Sequence, residues 1–257
     1  MRFAQKYGKW AVIAGASEGI GAAFAGALAE RGLNLVLVAR RPEPLSELST
    51  QLGVQTITVS ADLSTADGLA EVFAATEDRE VGLVVCNAAY APVGSFLDLD
   101  QAALTAMLDL NCRTPLLLAR HYLPAMAARH RGGLVVMSSL AGNQGSPGIA
   151  AYAATKAFGA VLAEGLWSEL HGSGVDVLTC VAGAVATPNL REAMAKPAPG
   201  TVTPDVVAAA ALRALGRGPR IVPGALMRAC APLISHLLPR RTAITLMGRA
   251  SRGLSAP

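Results

Sequence analysis

Residues 10–21 read Trp10-Ala11-Val12-Ile13-Ala14-Gly15-Ala16-Ser17-Glu18-Gly19-Ile20-Gly21, and this stretch decides the fold. An apolar run of strand length leads into a glycine turn, and the turn opens a helical stretch that runs to about residue 31 and stops at Gly32. Gly15, Gly19 and Gly21 space the turn as G-x-x-x-G-x-G. Glycines let a backbone turn tightly and come close to a pyrophosphate, whose charge meets the free N–H groups at a helix N-terminus. Ser17, Glu18 and Ile20 lie between them and share the candidate nucleotide contacts. Three glycines also suit a plain tight turn; the strand–turn–helix context favours the nucleotide.

Outward from there the same alternation continues. Residues 33–38, 54–60, 83–86, 134–137, 175–180 and 220–222 are short apolar runs separated by amphipathic stretches. That order predicts a parallel sheet with crossover helices. Pro42 suits a first helical turn, Ser64 is placed to cap the helix after the third strand, and Thr203-Pro204-Asp205 has the chemistry of another helix start. Residues 100–129 read as one long helix stopped by Gly132-Gly133, and residues 152–171 read as another. Right-handed crossovers leave few topologies. The expectation is an α/β fold: a single doubly wound Rossmann-type domain over residues 1–257, with a parallel sheet and helices on both faces.

Composition narrows the class. The chain has 257 residues, 52% of them hydrophobic, which excludes a disordered chain and allows a large core and a subunit interface. Cys86, Cys112, Cys180 and Cys230 show no CxxC spacing and sit in apolar sequence, as thiols do in a reducing compartment. The four histidines have no metal spacing, and no metal is expected. The apolar stretch in MRFAQKYGKWAVIAGAS is too short and too late for a signal peptide, so a cytoplasmic location is the expectation.

Short polar residues at the carboxyl ends of parallel strands lie beside a ligand crevice. A carboxylate after the second strand would accept from a ribose 2′-OH and repel a 2′-phosphate. Here that place holds Arg40-Arg41, whose guanidinium forks match a phosphate, so NADP(H) is expected rather than NAD(H). Asp62-Leu63 and Asn87-Ala88 end the next two strands. Tyr152 and Lys156 are four apart on one helix face, where an ammonium lowers a tyrosine pKa and makes it a better acid–base group. Ser138-Ser139 brings a hydroxyl to the same crevice, and Asn111 lies in the long helix.

Together and in this order, AGASEGIG, Asn87-Ala88-Ala89, Asn111, Ser138-Ser139-Leu140-Ala141-Gly142 and Tyr152-x-x-x-Lys156 resemble the short-chain dehydrogenase/reductase family over about residues 8–190. The resemblance selects Ser139, thirteen residues before Tyr152, over Ser138. It implies a tetrad in which Asn111 orders a water on a proton relay, Ser139 orients the carbonyl, Tyr152 donates the proton, and Lys156 holds the ribose and tunes Tyr152. It also implies that Val185 and Thr187 contact the nicotinamide and phosphates. Ala14, Ala89 and Ala182 depart from the family's threonine, glycine and proline, which are small structural changes. The reaction implied is reduction of an apolar ketone, steroid-like or β-ketoacyl, or its reverse, in a homo-oligomer.

Residues 188–203 lie where the family places a substrate lid, with Leu190 and Met194 able to face an apolar ligand; Tyr90, Val93, Ile149 and Ala150 flank the pocket. After Asp205 there are eight arginines and no acid; removing them from the net +4 leaves −4 on residues 1–205. The basic stretch at about residues 225–257 lacks aromatics to stack on bases, which excludes nucleic acid as the partner, and suits a neighbouring subunit, an anionic membrane or solvent. Two alternatives stay open: a non-catalytic NADP(H)-binding protein, and a membrane-associated scaffold using the arginine-rich tail.

Overall fold

The computed structural model describes residues 3–188, 190, 198–233 and 237–251. Met194 of the expected lid, and Ile234, His236 and Arg252 of the C-terminal stretch, lie outside the described residues. Seven parallel strands form one sheet in the order β3-β2-β1-β4-β5-β6-β7. They are β1 (Trp10–Ala14), β2 (Asn34–Ala39), β3 (Thr56–Ser60), β4 (Val81–Cys86), β5 (Gly132–Ser139), β6 (Val175–Ala182) and β7 (Arg220–Ile221). The strand order reverses between β1 and β4, which opens a crevice at their carboxyl ends.

Alternation along each strand builds two cores. Ala11, Ile13, Leu35, Leu37, Val85 and Leu178 face one side, against Phe24 and Leu28 of α2 (Gly19–Ala29) and Val207 and Ala211 of α8 (Pro204–Ala214). Val12, Val36, Val38, Val84 and Val136 face the other, against Val72 of α4 (Ala66–Thr76), Leu118 and Met126 of α6 (Thr114–Ala128) and Ala163 of α7 (Ala150–Glu169). Covering both faces is what turns these strands into near-continuous apolar runs. A short α1 (Phe3–Tyr7), which the periodicity does not announce, docks below the sheet through the Tyr7 hydroxyl, which donates to Asp176 at 2.7 Å. The helix from Pro42 is α3 (Pro42–Gln51), and the C-terminal stretch holds α9 (Ala225–Pro232) and α10 (Arg240–Ser251).

Four expectations are corrected. The long helix over residues 100–129 is α5 (Gln101–Leu108), a π-helical turn (Asp109–Arg113) and then α6. Its stop is His130, at φ 51, and not the glycine pair. Gly132 and Gly133 already belong to β5, because a Cβ on Gly132 would lie 2.6 Å from the Met126 side chain and one on Gly133 2.9 Å from Leu83. Thr65, not Ser64, caps α4 by accepting from the Gly68 N–H at 3.0 Å; the Ser64 hydroxyl donates to Asp62 instead. Thr203 stands at the N-cap of α8 without a side-chain capping bond.

Candidate active site

The glycine turn is closed by close contacts. Gly15 has φ 85, and a Cβ there would lie 2.7 Å from the Ala88 backbone; one on Gly21 would lie 1.8 Å from the Gly15 carbonyl oxygen. Only glycine fits either place. Asn87 Nδ2 donates to that Gly15 carbonyl at 2.7 Å, and the Ala88 N–H donates to the Ala14 carbonyl at 2.7 Å. Asn87 and Ala88 therefore hold the turn in shape. Gly19 opens α2, whose first N–H groups have no partner within the helix. Thr187 lies over that start, its methyl 3.0 Å from where a Gly19 Cβ would be, and Val185 is buried and bridged to Val202. Ile20 packs against the core, while Ser17 is half-buried on the turn.

The two arginines after β2 are not equivalent. Arg41 pairs with Glu18 at 2.9 Å, across the mouth of the turn. Arg40 is exposed and its charge acts on Asp62. Burial opposes ionisation of Asp62, but the N–H and hydroxyl of Ser64, with Arg40, hold its carboxyl below the usual range. Leu63 is buried and its carbonyl accepts from the Thr114 hydroxyl at 2.5 Å, which ties the end of β3 to α6.

On the other side of the crevice β5 and α7 bring the chemistry together. Ser138 and Ser139 point apart, as strand neighbours must. The buried Ser138 hydroxyl donates to the Lys156 carbonyl at 2.8 Å and fastens α7 to the sheet. The Ser139 hydroxyl accepts from the Ala141 N–H at 3.2 Å and lies close enough to the Tyr152 hydroxyl to favour its ionised form. Lys156 Nζ donates to the Met137 carbonyl at 3.1 Å and lies 5.5 Å from the centre of the Tyr152 ring. Val93, Ala141, Ile149 and Ala153 pack around Tyr152 and make its surroundings apolar. Tyr90 and Ala150 are exposed beside it.

Burial pushes the Tyr152 hydroxyl up to about 12, with the Ser139 hydroxyl working the other way. This corrects the expectation that the lysine lowers it: Lys156 is turned to the Met137 carbonyl, and burial of the Tyr152 hydroxyl sets the direction. The same desolvation brings the Lys156 ammonium down to about 8, with weak opposition from Cys112 and Cys86.

Asn111 stands in the π-helical turn, 5% exposed. Its Oδ1 accepts from the Tyr90 N–H at 2.8 Å, and its Nδ2 donates to the Tyr90 carbonyl at 2.8 Å and the Thr155 hydroxyl at 3.0 Å. The side chain is thus fully engaged within the protein. The position four residues on is Pro115, which has no N–H to give the Asn111 carbonyl a helical bond. Asn111, Thr155, Pro115 and Lys156 line a cavity of about 10 Å³, close to what one water needs. Thr155, which joins Asn111 to the Tyr152 carbonyl through its own 2.8 Å bond, was missed from sequence, although it sits directly before Lys156.

The family described as short chain dehydrogenase matches residues 9–198. A 7beta-hydroxysteroid dehydrogenase from Collinsella aerofaciens is 37% identical over 194 residues, 74% of each chain. A solved structure reported for 7beta-hydroxysteroid dehydrogenase stereoselectivity superposes with a TM-score of 0.91 at 32% identity, covering 96% of this chain and all of that one. A short-chain dehydrogenase from Sphingobium yanoikuyae, solved in complex with NADPH, gives 0.79 at 32% identity, over 86% of this chain and 89% of that one. The chain belongs to the short-chain dehydrogenase/reductase family and is an oxidoreductase of that family.

Proposed function

We propose that the protein uses NADP(H) to interconvert an apolar ketone and a secondary alcohol, with a steroid-like substrate. One observation carries the chemistry: α7, fastened to the end of β5 by Ser138, sets Tyr152 and Lys156 side by side, Nζ 5.5 Å from the ring centre, with the Ser139 hydroxyl acting on that of Tyr152. The steroid reading rests on the relatives just described and on the apolar wall of Val93, Ala141 and Ile149.

The crevice fits a nicotinamide dinucleotide. Glycines let the Gly15–Gly21 turn close tightly on Ala88 and on itself, leaving the first N–H groups of α2 to meet a pyrophosphate, and Arg40-Arg41 rather than a carboxylate directly follow β2. When bound, the cofactor supplies the hydride. Arg40 meets the 2′-phosphate; Arg41 joins it by giving up a surface pair with Glu18, which contributes little. Ser17, Glu18, Gly19 and Ile20 present their backbone to the pyrophosphate, Asp62 and Leu63 flank the adenine side, and Val185 and Thr187 close over the nicotinamide end. Lys156 holds the ribose. Ser139 orients the substrate carbonyl by a hydrogen bond, and Tyr152 gives its proton to the carbonyl oxygen. Asn111 and Lys156 line the same water-sized cavity, where a water would resupply protons through Lys156.

NADPH and NADH oxidation against a panel of oxosteroids, β-ketoacyl thioesters and bulky ketones tests this, with Arg40→Asp alongside. Wild type should consume NADPH with an oxosteroid, and Arg40→Asp should weaken NADPH binding about ten-fold or more, the cost of one charge-assisted phosphate contact. Equal affinity of the wild type for NADH and NADPH would contradict the cofactor assignment.

A further inference from the structure

The eight arginines behind Asp205 are divided by the fold. Arg213 and Arg217 lie at the end of α8, which leads to the start of β7 at the edge opposite the crevice. Arg220 pairs with Glu164 at 3.3 Å. On the crevice side, among the described residues Arg228 and Arg240 donate to neutral groups, the carbonyls of Val222 and Asn143, at 3.3 and 2.9 Å. Arg241 and Arg249 are exposed on α10. Among the described residues no carboxylate pairs with these four.

Leucines stand among them at the surface. Leu237 is 73% exposed, and Leu226, Leu233 and Leu246 are exposed as well. These segments are seated beside the crevice. Met227 of α9 lies against Gly183 and Gly200, Ile244 of α10 against Gly145, and Gly248 against Pro147. Ala243 and Gly248 are the buried side of α10, so Arg241, Thr245, Leu246 and Arg249 form its outer side.

A cationic surface rich in exposed leucines fits one partner chemistry better than the others. A twofold contact with a second copy sets the same patch against itself, guanidinium facing guanidinium. A nucleic acid finds no Phe, Tyr or Trp in residues 206–257 to stack on. An anionic lipid leaflet offers phosphates to the arginines and an acyl boundary to the leucines. We infer that α9, α10 and the exposed Leu233 and Leu237 form a docking surface for such a leaflet, beside the mouth of the crevice. No described helix is long and apolar enough to cross a membrane, and the contact is a peripheral one. The inference stands on charge and exposure and does not depend on the proposed ketone reduction.

Sedimentation of the full-length protein with vesicles tests it, using phosphatidylcholine alone and phosphatidylcholine mixed with phosphatidylglycerol. The protein should pellet with the anionic vesicles and be released at about 1 M salt, where screening reaches to about 3 Å. Arg241→Glu combined with Arg249→Glu should weaken binding at least about 25-fold, at roughly five-fold for each basic residue. Circular dichroism shows whether that variant is folded, whatever its turnover. The inference is overturned if wild type ignores anionic vesicles, binds neutral ones equally well, or loses nothing in the double variant. A change in lipid-free sedimentation velocity in the double variant overturns it too, by assigning the patch to a contact between copies.

Discussion

Tyr152 and Lys156 lie side by side, and burial moves their pKa values in opposite directions, to about 12 and about 8. Tyr152 stays protonated across the working range, ready to donate. Lys156 does not: as pH rises through about 8 it loses the charge with which it holds the ribose and supports the relay. The value of kcat/KM for NADPH, which reports the free enzyme, should therefore be level below about pH 8 and fall above it. A profile level to pH 10 would show that the ammonium is not needed for cofactor capture. The motif residues were legible because each combines a rare side chain with a fixed spacing. Their pKa values were not, because desolvation depends on what packs around Tyr152, including Val93 and Ala141, which come from other segments of the chain. The split between Arg40 and Arg41 was hidden for the same reason: Glu18 lies twenty-three positions from Arg41 in sequence and pairs with it in space.

Among the elements, the strands were readable because both sheet faces are covered and apolar runs result. Helix ends were less so. Ser64 and Thr65 have equal capping chemistry, and the choice falls on Thr65 because Asp62 takes the Ser64 hydroxyl at 2.7 Å. Thr65→Ala should lower stability by about 1 kcal/mol, the usual worth of an N-cap. Ser64→Ala should instead act on Asp62, whose carboxyl loses a partner that favours its charge. Urea unfolding of both variants checks this, and a Thr65→Ala midpoint equal to wild type would contradict the assigned cap. The π-helical turn left no trace in periodicity, since one extra residue between α5 and α6 shifts the apolar pattern by less than a strand-to-helix change does. Its effect is nonetheless large: it turns Asn111 inward onto the Tyr90 backbone and Thr155, 44 positions away. π-helical turns of this kind recur at functional sites.

Over the whole molecule, strand order brings five distant segments to one crevice: the glycine turn, the ends of β2 and β4, the Ser138-Ser139 end of β5 and the first turns of α7. The glycine turn and the Tyr152 helix were both visible in sequence. Their meeting at the β1–β4 reversal required right-handed crossovers, and the sheet has that order. Charge is divided on the same scale, with the arginines after Asp205 set against an acidic body. The central claim is that this crevice passes a proton from Tyr152 to a ketone reduced by NADPH. Single-turnover NADPH oxidation by wild type and Tyr152→Phe, on an oxosteroid that wild type reduces, measures it most directly, with NADPH affinity determined for both. Tyr152→Phe keeps the ring and removes only the hydroxyl. The predicted result is unchanged NADPH affinity with the chemical step slowed by about 10²-fold or more; a chemical step as fast as that of wild type would contradict it.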